Sequence, residues 1–166
     1  LGSATLNKSV LAAMDKIIAA DVQLIWQTGK YYFQSISEQL KGKEHPNIKV
    51  LEFLHHMDLA YAASDLVISR AGAGTIAELC AVKKPTILVP SPNVAEDHQT
   101  KNAMALVHKN AALLVKDAQA ESELIDIALG LINNDEKCKE LATQIGKMEL
   151  ANSDEIIANE VFKLAK

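Results

Sequence analysis

Apolar residues recur along this chain at helical spacing in some stretches and as short buried runs in others, and the alternation of the two predicts its architecture. From Thr5 onward Val10, Leu11, Met14, Ile17 and Ile18 fall at helical spacing. Residues 21–27 then read as a buried strand that stops at Thr28-Gly29, and residues 31–40 return to the helical period. A polar loop with His45-Pro46-Asn47 leads to a strand over 48–53, a short helix over 56–63 and a strand over 65–69. The next helix opens at Thr75, points Ile76, Leu79 and Val82 at a core, and is stopped by Lys83-Lys84-Pro85. Residues 86–89 are almost purely apolar, as a parallel strand covered on both faces should be.

Residues 90–96 form a loop with two prolines, 97–109 a helix and 111–115 a last strand. Three helices then follow without strands, over 121–133, 136–148 and 154–164. Strands alternating with helices and closing in a helical tail predict a Rossmann-like, doubly wound parallel sheet in a single domain over 1–166. Such a domain rarely starts on a helix. A first strand and most of a Gly/Ser turn are therefore expected upstream of Leu1, with residues 1–4 as the tail of that turn and the chain a fragment of something longer.

The stretch DLVISRAGAGTIAE carries the most chemistry. A strand that runs into glycines and then a helix aims several backbone N–H groups and the positive helix end at one point outside the sheet. That point suits a phosphate. Glu78, one turn into the helix, can accept from a sugar hydroxyl beside it. Gly72, Gly74 and Ala77 spell the G-x-G-x-x-A dinucleotide fingerprint, but after the third visible strand rather than the first. The following strand also ends without the acidic residue that should hold a ribose. The plainer alternative is a helix start whose small residues simply permit close packing on the sheet.

A second polar cluster, Asp97-His98-Gln99-Thr100-Lys101-Asn102, opens a helix after a strand and so projects at the same carboxyl edge of the sheet. Its amides and imidazole can bind sugar hydroxyls, or Asp97 can cap the helix while the rest is solvated. His55, His56 and Asp58 lack the second cluster that a metal site needs. Trp26, Tyr31, Tyr32 and Phe33 read as packing, and Lys83-Lys84 as a solvated helix end.

Composition narrows the classes. Apolar residues at 49% and charged ones at 23% are typical of soluble α/β domains. A net charge of −4, with no basic run, argues against nucleic acid as a partner. Cys80 and Cys138 have no metal-type spacing and read as reduced structural thiols. There is no signal peptide and no membrane-spanning run.

DLVISRAGAGTIAEL, followed by KKPTILVP and EDHQTKNA, resembles the C-terminal half of the MurG family of peptidoglycan glycosyltransferases. LGSATLN resembles the end of that family's GGS-x-GA-xxxN turn, VLEFLHHM its strand and loop beside the donor base, and NEVFKLAK its last helix. The resemblance implies the donor-binding half of a GT-B fold, with an acceptor domain elsewhere in a longer protein. It implies an inverting transfer of N-acetylglucosamine from UDP-GlcNAc to undecaprenyl-pyrophosphoryl-MurNAc-pentapeptide, lipid I to lipid II, at the cytoplasmic face of the inner membrane.

By that resemblance Glu78 holds the ribose hydroxyls, and Ala73, Gly74 and Thr75 offer N–H groups, with the Thr75 hydroxyl, to the diphosphate. Arg70 lies near the phosphates, and Phe53 and Leu54 contact uracil, largely through the Leu54 backbone. Gln99 and Asn102, with His98 beside them, hold the N-acetylglucosamine, and Gly2 and Ser3 border a second phosphate-facing turn. His98 stands where some relatives carry glutamine. The resemblance implies no cofactor and no metal. It also implies membrane association through the rest of the protein, a catalytic base outside this chain, and no turnover by the fragment alone. Three other readings are a UDP-N-acetylglucosamine 2-epimerase of related fold, a separately encoded donor-binding subunit docking on a membrane partner, and a dinucleotide-binding dehydrogenase module.

Overall fold

The computed structural model describes the backbone of residues 2–149 and 153–164, with side chains up to 149 and from 155. Leu1, in the expected opening turn, and Ala165 and Lys166, at the end of the closing helical pattern, lie outside the described residues. Helices α1 (Ala4–Ala12) and α2 (Met14–Ala19) come first, then β1 (Leu24–Gln27), α3 (Lys30–Gln39), β2 (Ile48–Leu51) and α4 (Met57–Ala63). The second half runs β3 (Val67–Ser69), α5 (Ala73–Val82), β4 (Thr86–Leu88), α6 (His98–Val107) and β5 (Leu113–Leu114). The tail is α7 (Ala120–Ile132), α8 (Asp135–Gly146) and α9 (Ser153–Leu164).

The first helical stretch is two helices, because Ala13 sits at φ −110° and ψ 17° and its N–H turns back to Val10. Strand β1 starts at Leu24 and not Asp21, because Asp21 adopts a left-handed φ of 52° that no strand accommodates. Lys83, also left-handed at φ 55°, ends α5 just before Pro85.

All strand pairs are parallel. β1 pairs with β2, in register from Leu24 opposite Ile48, and β4 lies between β3 and β5. No ladder joins β1 to β3 among the described residues, so the expected continuous sheet is two sheets. The backbone of Gly2 and Ser3 spans the carboxyl ends of β1 and β3. Gly2 lies so close to Thr28 that a Cβ there would stand 2.1 Å from its carbonyl oxygen, so only glycine fits. Ser3 Oγ accepts from Leu6 N, capping α1, and from Arg70 Nε beyond β3.

Helices cover both faces of β4, whose Thr86, Ile87 and Leu88 are wholly buried. Leu88 packs with Leu79, Leu106 and Ile145 on one face, and Ile87 with Leu124, Leu131 and Leu141 on the other. A third cluster joins Val10, Met14 and Ile17 to Trp26, Ile36 and Ile125. Within it Asn7 accepts from Trp26 Nε1 at 2.9 Å and donates to the Thr28 carbonyl at 3.0 Å, both ends buried. Among the described residues no helix is long and apolar enough to cross a membrane.

Candidate functional site

Strand β3 stops at Ser69, and the chain reverses through Arg70 and Ala71 to Gly72, which is extended (φ −67°, ψ 149°) and serves as the N-cap of α5. The helix starts at Ala73, two residues earlier than Thr75, because a glycine N-cap lets Ile76 N–H reach the Gly72 carbonyl at 2.9 Å. The first four N–H groups of a helix have no partner within it. No side chain caps these, and among the described residues the amides of Gly72, Ala73, Gly74 and Thr75 make no hydrogen bond. Nothing stands within 4 Å of where a Gly74 Cβ would be, so the approach is open. The Thr75 hydroxyl lies beside it, 3.8 Å from a Cβ built on Gly72. Four unpaired donors and the positive helix end face one direction, which is the local chemistry of an anion site.

Glu78 is exposed on the same helix, one turn on, with its carboxylate toward solvent. Its Oε2 accepts from the Tyr61 hydroxyl of α4 at 3.0 Å. Tyr61 is half-buried against the cluster around Leu79, and its phenol is pushed up to about 12, first by desolvation and then by the bond to Glu78 and its negative charge.

The second cluster meets the first. Gln99 Oε1 accepts from Ala71 N at 3.3 Å and from Ser91 N at 2.9 Å, tying the turn after β3 to the loop after β4. Asn102 Nδ2 donates to the Ala71 carbonyl at 3.0 Å. Gln99 and Asn102 therefore brace the cradle turn. His98 is exposed and sits 3.8 Å from Glu96. Asp97 does not cap α6. It and Glu96 are left-handed, at φ 54° and 50°, within a tight turn over Ala95–Asp97.

Two nitrogens of the Arg70 guanidinium are engaged within the protein. Its Nη1 donates to the carbonyls of Val89 and Pro90 and to Asp117, and its Nε to Ser3 Oγ. Asp117 also accepts from the Thr5 hydroxyl. Arg70 thus knots the Gly2–Ser3 turn, the turn after β3 and the end of β4 into one unit.

On the β1–β2 side Phe53 is exposed, with its ring edge-on to His55 at 5.3 Å. The Leu54 N–H is held at 2.8 Å by Gln27 Oε1 from the end of β1, which presents the Phe53-Leu54 backbone at the carboxyl edge. Among the described residues no group of three or more His, Cys, Asp or Glu could hold a metal ion. Lys83 pairs with Glu149 at 2.9 Å and Lys84 donates to the Ala62 carbonyl, so the helix end expected to be merely solvated is tied down. Gln27, Tyr61, Ser91 and Asp117 carried no signal in the sequence. Gln27, Tyr61 and Asp117 each act on a site residue 17 or more positions away, and Ser91 on Gln99 across the loop after β4.

Comparison with known proteins places this geometry. Residues 1–157 match the model of the glycosyltransferase family 28 C-terminal domain. The chain is 55% identical over its whole length to a UDP-N-acetylglucosamine–N-acetylmuramyl-(pentapeptide) pyrophosphoryl-undecaprenol N-acetylglucosamine transferase of Bacteroides thetaiotaomicron. It is 43% identical to the protein of the same name from Flavobacterium psychrophilum. It spans 45% and 44% of these relatives, so a little under half their length. Among solved structures it superposes on MurG of Acinetobacter baumannii with a TM-score of 0.82 and 27% identity, over 98% of this chain and 47% of that one. The glycosyltransferase VinC, solved with dTDP, shares the fold at a TM-score of 0.62 and 18% identity, over 86% of this chain and 34% of that one. The chain belongs to the family of glycosyltransferase family 28 C-terminal domains.

Proposed function

We propose that this chain is the donor-binding half of an inverting glycosyltransferase of the MurG type, which moves N-acetylglucosamine from UDP-GlcNAc to undecaprenyl-pyrophosphoryl-MurNAc-pentapeptide, converting lipid I to lipid II. The observation that carries the reading is the uncapped start of α5, with unpaired amides at residues 72–75 and the exposed carboxylate of Glu78 one turn away. The names of relatives that match the whole chain support the choice of sugar nucleotide.

In this reading the diphosphate of UDP-GlcNAc sits on the amides of residues 72–75 and on the Thr75 hydroxyl. Glu78 accepts from the ribose hydroxyls, and charge-assisted bonds fix the nucleoside. Uracil lies along the Phe53-Leu54 backbone. The Leu54 carbonyl is the group left to it, since Gln27 holds the Leu54 N–H. Gln99 keeps its Nε2 for the sugar while its Oε1 holds the turn, and His98 flanks it. Gly2 and Ser3 approach from the other side, and Arg70 fixes their position relative to α5.

The 4-hydroxyl of N-acetylmuramic acid attacks the anomeric carbon from the face opposite UDP, and the C–O bond to the diphosphate breaks. Negative charge grows on the leaving diphosphate. Fixed N–H donors at the α5 start meet it without reorganising, and each is worth on the order of 3 kcal/mol of transition-state stabilisation. The acceptor lipid, the base that takes the hydroxyl proton and the peripheral membrane contact belong to the rest of a longer protein, and no cofactor takes part. Titration calorimetry with UDP-GlcNAc tests the donor site. Binding by the chain and at least a tenfold loss in Glu78→Ala is the expected result; equal affinity in both removes Glu78 from the site.

A further inference from the structure

The carboxylate proposed to hold the ribose already has a partner within the domain. Glu78 lies on an exposed helix face, where a glutamate ordinarily samples many rotamers and must give them up when it binds. Here the Tyr61 hydroxyl reaches across from α4 and donates to Oε2 at 3.0 Å, while the Tyr61 ring is anchored against the core around Leu79. The phenol stands on a rigid platform and the carboxylate hangs from it.

We infer that Tyr61 is a positioning residue for nucleotide binding, whose hydroxyl pre-orients the Glu78 carboxylate so that its remaining lone pairs face the two hydroxyls of a ribonucleoside diphosphate. The inference rests on the donor-site reading given above and extends it to a residue that makes no ligand contact of its own. The hydrogen-bond count is consistent. An ionised carboxylate offers about four acceptor positions, Tyr61 takes one, and two ribose hydroxyls can each take another. For this the phenol must stay a donor. A phenol is a donor at neutral pH in any case, and burial with the bond to Glu78, which raise its ionisation to about 12, extend that into alkaline solution. Fixing the carboxylate before the ligand arrives removes an ordering cost from binding, and that gain is confined to ligands whose ribose uses the carboxylate.

This confinement supplies the test. Calorimetric affinities for UDP and 2′,3′-dideoxy-UDP are measured on the chain, on Tyr61→Phe and on Glu78→Ala, with a thermal melt of each. The unmodified chain should prefer UDP by about tenfold or more, as expected for a hydrogen bond to a charged acceptor. In Tyr61→Phe the melting temperature should hold and 2′,3′-dideoxy-UDP, which has no hydroxyl for the carboxylate, should bind almost as before. UDP should weaken severalfold, so that the preference shrinks. A general packing defect would instead weaken both nucleotides alike and leave the preference intact, which overturns the inference. An unchanged preference in Tyr61→Phe together with its loss in Glu78→Ala also overturns it, and leaves the donor-site reading standing. If Glu78→Ala keeps the full preference for UDP, Glu78 does not hold the ribose, and the donor-site reading falls together with the role of Tyr61.

Discussion

The guanidinium of Arg70 is paired with the carboxylate of Asp117, which reaches it from the turn after β5. Both side chains are mostly buried, 22% and 23% exposed. An arginine beside a phosphate cradle invites the assumption that all of it binds the phosphate, but here, among the described residues, Nε and Nη1 are committed to protein acceptors, which leaves Nη2 as the donor open to an anion. Its positive charge still contributes to the local potential, partly offset by Asp117.

Removing one partner of such a pair strands the other. Arg70→Met or Asp117→Leu should each destabilise the domain by about 2–3 kcal/mol, below the full cost of a wholly buried pair because some solvent reaches both groups. The double variant should cost less than the sum of the two. Urea unfolding of the three variants measures this, and strict additivity would show that the pair does not act as a unit.

The α5 amides can be deleted one at a time without breaking the helix. Ala73 is the first helical residue and Gly72 before it is extended, so proline is accommodated at 73 and simply removes that N–H. Ala73→Pro should melt at the same temperature as the parent, or higher, and bind UDP at least tenfold more weakly. Gly74→Ala adds a methyl where nothing lies within 4 Å, so it should stabilise the helix by roughly 0.5–1 kcal/mol with its amide retained. Thermal unfolding and calorimetry on both variants separate helix integrity from donor loss.

Asn7 is buried on α1 between the Trp26 indole and the Thr28 carbonyl. Asn7→Leu leaves a donor and an acceptor unpaired in the core and should cost about 2–4 kcal/mol. Denaturant midpoints check this. Since the same contact sets α1 against the end of β1, nucleotide affinity should fall with it through the displaced Gly2–Ser3 turn.

Tyr61 gives the domain a pH dependence at the alkaline end. Its folded pKa, about 12, lies above the ordinary phenol value, so the folded state keeps a proton that the unfolded state loses. The associated stability is complete below pH about 10 and fades as pH rises through about 12. Ultraviolet titration should show one phenol ionising well after an ordinary tyrosine, and that late step should vanish in Tyr61→Phe.

Much of this arrangement is legible in the chain. The short apolar runs around Trp26, Val50, Ile68 and Ile87 fall in strands, and the glycines after Ser69 mark the anion-facing turn. Boundaries moved where single residues took left-handed backbone, as at Asp21 and Lys83, or where a helix turned at Ala13, because local dihedrals leave no periodic trace. The ties between elements were not legible. Gln99 was readable as a polar group at the right edge, but its bonds to Ala71 and Ser91 depend on how two loops meet. Asp117 and Tyr61 sit in stretches whose patterns say only turn and helix. Their roles arise from tertiary proximity.

The amides of residues 72–75 are the centre of the account, and amide NMR reports on them directly. On titration with UDP, the signals of Gly72, Ala73, Gly74 and Thr75 should move together and saturate at the calorimetric affinity, with α8 signals unmoved. Saturable UDP binding that leaves those four signals in place would contradict the account.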